Sequence, residues 1–249
     1  MFFLGGGFLP YVLLVLLPTI GLSLWAAYRV RSTYAKWSQV DSGISMNAFD
    51  FARYLLNSQG LTDVNLEAIP GQLTDHYDPR SKTLRVSSAV SAQNAMQGGG
   101  WAPGYADARP HLSVASVAVI AHEVGHAAQH RTGDPQMALR QLIVPVANIG
   151  STLAPWLVIA GVILKVTGLA VVGLGFFAAA VVFTFVTLPV EFGASRRALA
   201  YVTPLGLTGE RADGARSVLK AAGWTYVAAA LTALLTFLYY VSLVFGSRR

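Results

Sequence analysis

Val114 to His130 reads VASVAVIAHEVGHAAQH, and within it His122-Glu123-Val124-Gly125-His126 forms an H-E-x-x-H pattern. On an α-helix, residues four apart stand one above the other on one face, so His122 and His126 can reach a single metal ion. Glu123 lies beside them, placed to take a proton from water. The flanks favour a helix: Val, Ala and Ile precede the motif, Ala-Ala-Gln follows it, and no proline occurs from Leu112 through Asp134. A buried helix with two incidental histidines is the alternative. A third ligand elsewhere in the chain decides between the two.

The 249 residues are 54% hydrophobic and only 12% charged, about half the charged share of a soluble globular protein. That composition points to a membrane. With no cysteine, thiolate zinc sites, disulfides and cysteine nucleophiles are excluded, and any metal must be held by nitrogen and oxygen. The net charge of +6 is spread along the chain without the concentrated basic footprint of a nucleic-acid binder, so no nucleic-acid partner is expected.

Read in order, Met1 to Tyr28 has no charged residue and is long enough for a bilayer helix. Its neutral start, with Arg29, Arg31 and Lys36 following it, fits a retained anchor with its N-terminus outside rather than a signal peptide. Residues 29–141 form a polar block. Within it Asn47 to Asn57 has helical spacing with Asn47 as cap, and Leu61 to Leu73 reads as a short strand and a turn at Pro70-Gly71. Asp78 to Ser81 reads as a turn, Thr83 to Ser87 as a short strand, and Ser91 to His111, with its Gly98-Gly99-Gly100 run, as a mobile loop. Residues 142–164 and 166–190 are uncharged and give two further spans joined by a tight turn at Lys165. Residues 191–220 are polar, and 221–245 make a fourth span.

Four spans put 29–141 and 191–220 on one side, with fifteen of the 18 Lys and Arg and all 12 acidic residues. The positive-inside rule then places the polar domain in the cytoplasm, at the cell inner (plasma) membrane. An even number of crossings separates His126 from Glu191, so Glu191 emerges on the side of the histidines. Helical sequence continues through Glu191-Phe192-Gly193-Ala194-Ser195-Arg196-Arg197. Glu191 is therefore the candidate third ligand; a glutamate that merely caps a span is the alternative.

HEVGHAAQH, the upstream TDHYDPRSKTLRVS, the downstream LPVEFGASRRAL and the TYVAAALTALL of the last span together resemble the bacterial YugP-like membrane neutral zinc metallopeptidases. The arrangement is also similar to HtpX-type membrane metalloproteases, which have four spans and a cytoplasmic site. The resemblance implies a zinc endopeptidase of the gluzincin kind acting on protein or peptide substrates. It implies one Zn2+ per chain held by His122, His126 and Glu191, with Glu123 as general base. The fold class it implies is a mainly α integral membrane protein in the lipid bilayer. Four transmembrane helices would carry a small zincin-like α+β catalytic domain, with Thr83 to Ser87 as a short edge strand to which a peptide adds. Relatives often carry an acidic residue shortly after the glutamate ligand; Gly193 and Ser195 stand there here, leaving the partner of His122 unassigned. The stretch from about Ala92 to Pro110 reads as an insertion relative to such relatives.

Hydrolysis also needs a donor for the tetrahedral oxyanion. Arg196, Arg197, His76 and Tyr77 are candidates, and spacing does not choose among them; the arginines also suit lipid headgroups, and His76 and Tyr77 also suit a domain core. His130, at i+8 from His122, could approach the same face or form a solvated helix end. Two other functions compete. A site-2-type intramembrane protease would carry the motif inside a span with a distant aspartate ligand, and no apolar span here contains an aspartate. A non-catalytic zinc-binding scaffold would not require Glu123.

Overall fold

The computed structural model describes residues 8–91 and 111–246. Most of the loop expected between Ser91 and His111 therefore lies outside the described residues. The described chain is mostly helical. Helix α1 (Phe8–Tyr11) runs through a π-helical turn at Val12–Leu16 into α2 (Leu17–Trp37), and α3 spans Ala48–Ser58. Three strands follow, β1 (Asn65–Ile69), β2 (His76–Asp78) and β3 (Thr83–Ser87), then α4 (Val114–Arg131), α5 (Pro135–Ile163), α6 (Thr167–Val202) and α7 (Gly209–Gly246).

Four helical stretches are long and apolar enough to cross a membrane: Leu9–Trp37, Pro135–Ile163, Thr167–Leu205 and Gly209–Gly246. They match the four expected spans in number and order, and each of the last three starts or ends well beyond its uncharged core. Charged residues such as Arg140, Arg196 and Lys220 are good helix formers, so composition marks the apolar stretch but not the end of the helix. The expected turn at Lys165 separates α5 from α6, with Lys165 at φ +59°.

The chain divides into two compact units. One contains residues 1–28, 135–189 and 223–249; the other contains 29–134 and 190–222. In the first, Val158, Ala170, Leu174 and Val244 form a buried cluster flanked by Phe237 and Tyr240, and Trp25 meets Trp224 edge-on at 5.6 Å.

In the second unit, α3 packs its apolar face on α4. Phe51, Ala52, Leu55 and Leu56 are buried at spacings of one and three to four residues, the stripe a core-facing helix needs. Asn47 caps α3 by accepting the Asp50 N–H at 2.8 Å, and Ser113 caps α4 by accepting the Ser116 N–H at 3.0 Å. The sheet has the order β1-β3-β2. β1 runs parallel to β3 and β2 runs antiparallel to it, with Tyr77 opposite Leu84. This corrects one expectation: Thr83–Ser87 is the central strand, and the edges are β1 and β2. Thr83, Leu84, Val86 and Ser87 are all buried, so the strand is covered on both faces and its backbone groups must find partners along both sides. Alternation along a strand shows which faces are buried; it does not show how many neighbours the strand has.

Candidate metal centre

α4 presents His122 and His126 one turn apart, with ring centroids 4.7 Å apart and ring planes 84° from parallel. The last turns of α6, from Val190, bring Glu191 to them. Its Oε2 lies 3.3 Å from His122 Nε2 and 3.4 Å from His126 Nε2. Glu191 is 2% exposed and His126 7%. Two imidazoles and a carboxylate thus offer three ligand atoms within 4.8 Å of one another. A tetrahedral ion with bonds of about 2.0–2.1 Å spaces its ligand atoms by about 3.3–3.4 Å, so the separations from Glu191 to both imidazoles suit zinc.

The helices approach closely where these residues meet. A Cβ on Gly125 would lie 2.7 Å from the Ala194 carbonyl oxygen and 3.1 Å from its Cα. The glycine inside the motif is what lets the α6 backbone lie against α4. Both imidazoles are backed on their far side. His126 Nδ1 is 3.0 Å from Gln129 Oε1, and His122 Nδ1 is 3.3 Å from Ser195 Oγ. Gln129 Oε1 can only accept, so His126 Nδ1 carries the proton that bonds it and Nε2 is the nitrogen that faces the Glu191 carboxylate. A buried carboxylate facing two imidazole nitrogens calls for positive charge between them, from ring protons or from a bound cation. That requirement, with the spacing, fits a nitrogen- and oxygen-ligated metal.

Glu123 is buried on the same helix, and its Oε2 accepts the backbone N–H of Tyr77 at 2.9 Å. Burial pushes its carboxyl up to about 7, with Glu191 and Asp75 adding to the rise, while the neighbouring His122 and the Tyr77 N–H act against it. Tyr77 ties strand to helix a second time, its hydroxyl lying 2.9 Å from His130 Nδ1. The phenol is buried, which pushes it up to about 12. So β2 is held along α4 at two points, with the Tyr77 N–H turned away from β3.

None of the other sequence candidates belongs to this group of ligands. His76 is exposed, with Nδ1 donating to the Thr74 carbonyl and Nε2 3.3 Å from Arg85. Arg196 is exposed, and Arg197 lies 3.8 Å from Asp134. His130 is engaged with Tyr77. Sequence reasoning passed over Gln129, and it named Ser195 only as a departure from the expected acidic residue, leaving the partner of His122 that it supplies unassigned. A polar residue three positions past His126, on a helix otherwise lined with alanine and valine, was the available signal for Gln129.

Comparison with known proteins agrees with this chemistry. The family described as "Putative neutral zinc metallopeptidase" matches residues 12–102 and 107–245. The break between the matched stretches, residues 103–106, falls inside the stretch from about Ala92 to Pro110 expected to be an insertion. The chain is also 37% identical over 230 residues, 92% of its length and 94% of the relative's, to a Bacillus subtilis (strain 168) protein named "Putative membrane protease YugP". No solved structure matches.

Proposed function

The chain belongs to this family of neutral zinc metallopeptidases, and from that premise we propose that it is a membrane-anchored zinc endopeptidase cleaving membrane or membrane-proximal proteins. The observation that carries the reading is the convergence of His122, His126 and Glu191 on one point, with His126 Nδ1 taken up by Gln129 so that Nε2 is the nitrogen left for a ligand. These three residues would hold one zinc ion, and bound zinc supplies electrophilic activation of the scissile carbonyl and of water. The protein supplies the rest. Glu123 takes the proton of the attacking water and delivers it to the leaving amine. The Tyr77 N–H holds one carboxylate oxygen of Glu123, fixing the base against the edge strand.

The substrate adds to the outer edge of β2, not to Thr83–Ser87. Tyr77 turns its N–H away from β3, and in an antiparallel pair the carbonyl of such a residue turns the same way. That carbonyl can accept a peptide N–H, giving affinity with little sequence preference. The unit carrying the site faces the cytoplasm at the inner (plasma) membrane, a reading supported by the Lys and Arg concentrated in 29–141 and 191–220.

The test uses the detergent-purified full chain, with zinc stoichiometry and cleavage of an unfolded test protein measured together. Wild type should hold one zinc per chain, and Glu191→Ala should lose it. Glu123→Gln should keep zinc while cleavage falls by at least about 100-fold. Full zinc retention in Glu191→Ala would remove Glu191 from the site. Undiminished cleavage by Glu123→Gln would remove the general base.

A further inference from the structure

Gln129 is a fully buried polar side chain on the motif helix that the proposed chemistry leaves unused, at 1% exposure. Its two amide ends have different partners. Oε1 faces His126 Nδ1 at 3.0 Å, and Nε2 donates to the Val190 carbonyl at 3.0 Å. A carbonyl only accepts, so Val190 settles which end of the amide turns to α6. The remaining end, an acceptor, then calls for a proton on His126 Nδ1 and leaves Nε2 as the nitrogen that can ligate. The residue whose carbonyl begins this relay immediately precedes Glu191.

A second observation concerns Gly193. A Cβ at that position would lie 2.8 Å from Gln129 Nε2. The amide therefore occupies space that only a glycine on α6 leaves open. Relatives were expected to carry an acidic residue shortly after the glutamate ligand, at a position such as this; here the room is taken by an amide arriving from the other helix.

We propose that Gln129 is a positioning residue: it locks His126 in the tautomer that ligates through Nε2, and it ties that imidazole to the helix carrying Glu191. The inference rests on the metal reading above. Its consequence is that both ligating imidazoles are backed by neutral groups, an amide on His126 and the Ser195 hydroxyl on His122, rather than by carboxylates. A carboxylate would raise the basicity of the imidazole. An amide sets its orientation and tautomer without adding charge to a site that already holds Glu123 and Glu191.

The experiment measures two things on the detergent-purified full chain: zinc affinity by chelator competition, and the imidazole nitrogen shifts of zinc-free protein labelled in histidine. In wild type, His126 Nδ1 should be protonated. Gln129→Met, close in volume but unable to bond, should mix the His126 tautomers, leave His122 unchanged and weaken zinc about 10- to 100-fold. Gln129→Glu keeps an acceptor for the His126 Nδ1–H but loses the bond to the Val190 carbonyl, and should weaken zinc less than Gln129→Met does. Gly193→Ala, which displaces the amide without altering it, should reproduce the Met variant.

A simple packing role predicts instead that the Met and Glu variants lose zinc alike, in step with their melting temperatures, and that result would overturn the proposal. So would an unprotonated Nδ1 on His126 in zinc-free wild type, a measurement that needs no variant to fold. Wild type that binds no zinc would sink the metal reading itself, whereas wild type with one zinc and an unaffected Met variant would sink the Gln129 inference alone.

Discussion

Replacing Gly125 with alanine adds one methyl group at the tightest point of the site. The new Cβ would sit 2.7 Å from the Ala194 carbonyl oxygen, 3.1 Å from its Cα and 3.2 Å from its carbonyl carbon. These are backbone atoms, so no side chain can swing aside. Reaching ordinary van der Waals contact requires α4 and α6 to separate by about 0.7 Å. Glu191 lies three residues before Ala194 on the same helix and moves with it. Its Oε2, now 3.3 and 3.4 Å from the two Nε2 atoms, would end near 4 Å, well outside the ~0.2 Å tolerance of a zinc site. Zinc affinity should fall by at least about tenfold. Overpacking of this kind costs about 1–3 kcal/mol, but alanine is the better helix former by about 1 kcal/mol. The net loss of stability should therefore be small, and zinc affinity is the decisive readout. Chelator competition measures it, with circular dichroism to verify helix content. Wild-type zinc affinity in Gly125→Ala, with helix content unchanged, would refute the claim that this glycine sets the ligand spacing.

Tyr77→Phe removes the hydroxyl bonded to His130 and should cost about 1 kcal/mol of stability. Zinc stoichiometry should not change; loss of zinc would place the phenol at the centre itself. Ser195→Asp puts a carboxylate behind His122 and should tighten zinc by up to about tenfold, with weaker binding counting against Ser195 as the partner of His122. Burial raises the Asp75 carboxyl above the ordinary aspartate range, despite its bonds from Ser87. The folded chain therefore holds that proton more readily than the unfolded chain, and stability falls as pH rises from the unfolded value through the raised folded one. Asp75→Asn abolishes this fall, so melting temperatures should shift in favour of the variant as pH rises above the ordinary aspartate range; parallel curves for the two proteins would contradict it.

What the sequence reveals of this fold follows from the range of each signal. The α3 cap at Asn47, the strand Thr83–Ser87 and the turn at Lys165 are local, set by a few neighbouring residues, and each is found where periodicity and turn chemistry put it. The placement of Thr83–Ser87 at the centre of the sheet depends on β1 and β2, which pairing rather than pattern brings to it. The same division runs through the candidate site. The i, i+4 spacing of His122 and His126 is written in one helix. The contacts of Gln129, Ser195 and Gly193 exist only because α6 crosses α4 at Gly125, which no single-helix pattern encodes.

The departures from good helix sequence nevertheless mark that crossing. Each glycine inside a helix costs about 1 kcal/mol relative to alanine, yet Gly125 and Gly193 both interrupt helices that are otherwise well formed. One admits the backbone of the neighbouring helix and the other admits the amide of Gln129. Together they bring Glu191 to within 3.4 Å of both imidazoles while both ends of the Gln129 amide keep a partner. Local propensity is given up at the two positions where ligand geometry depends on close approach. A sequence that breaks a local rule without evident need is therefore a guide to where two distant segments must meet.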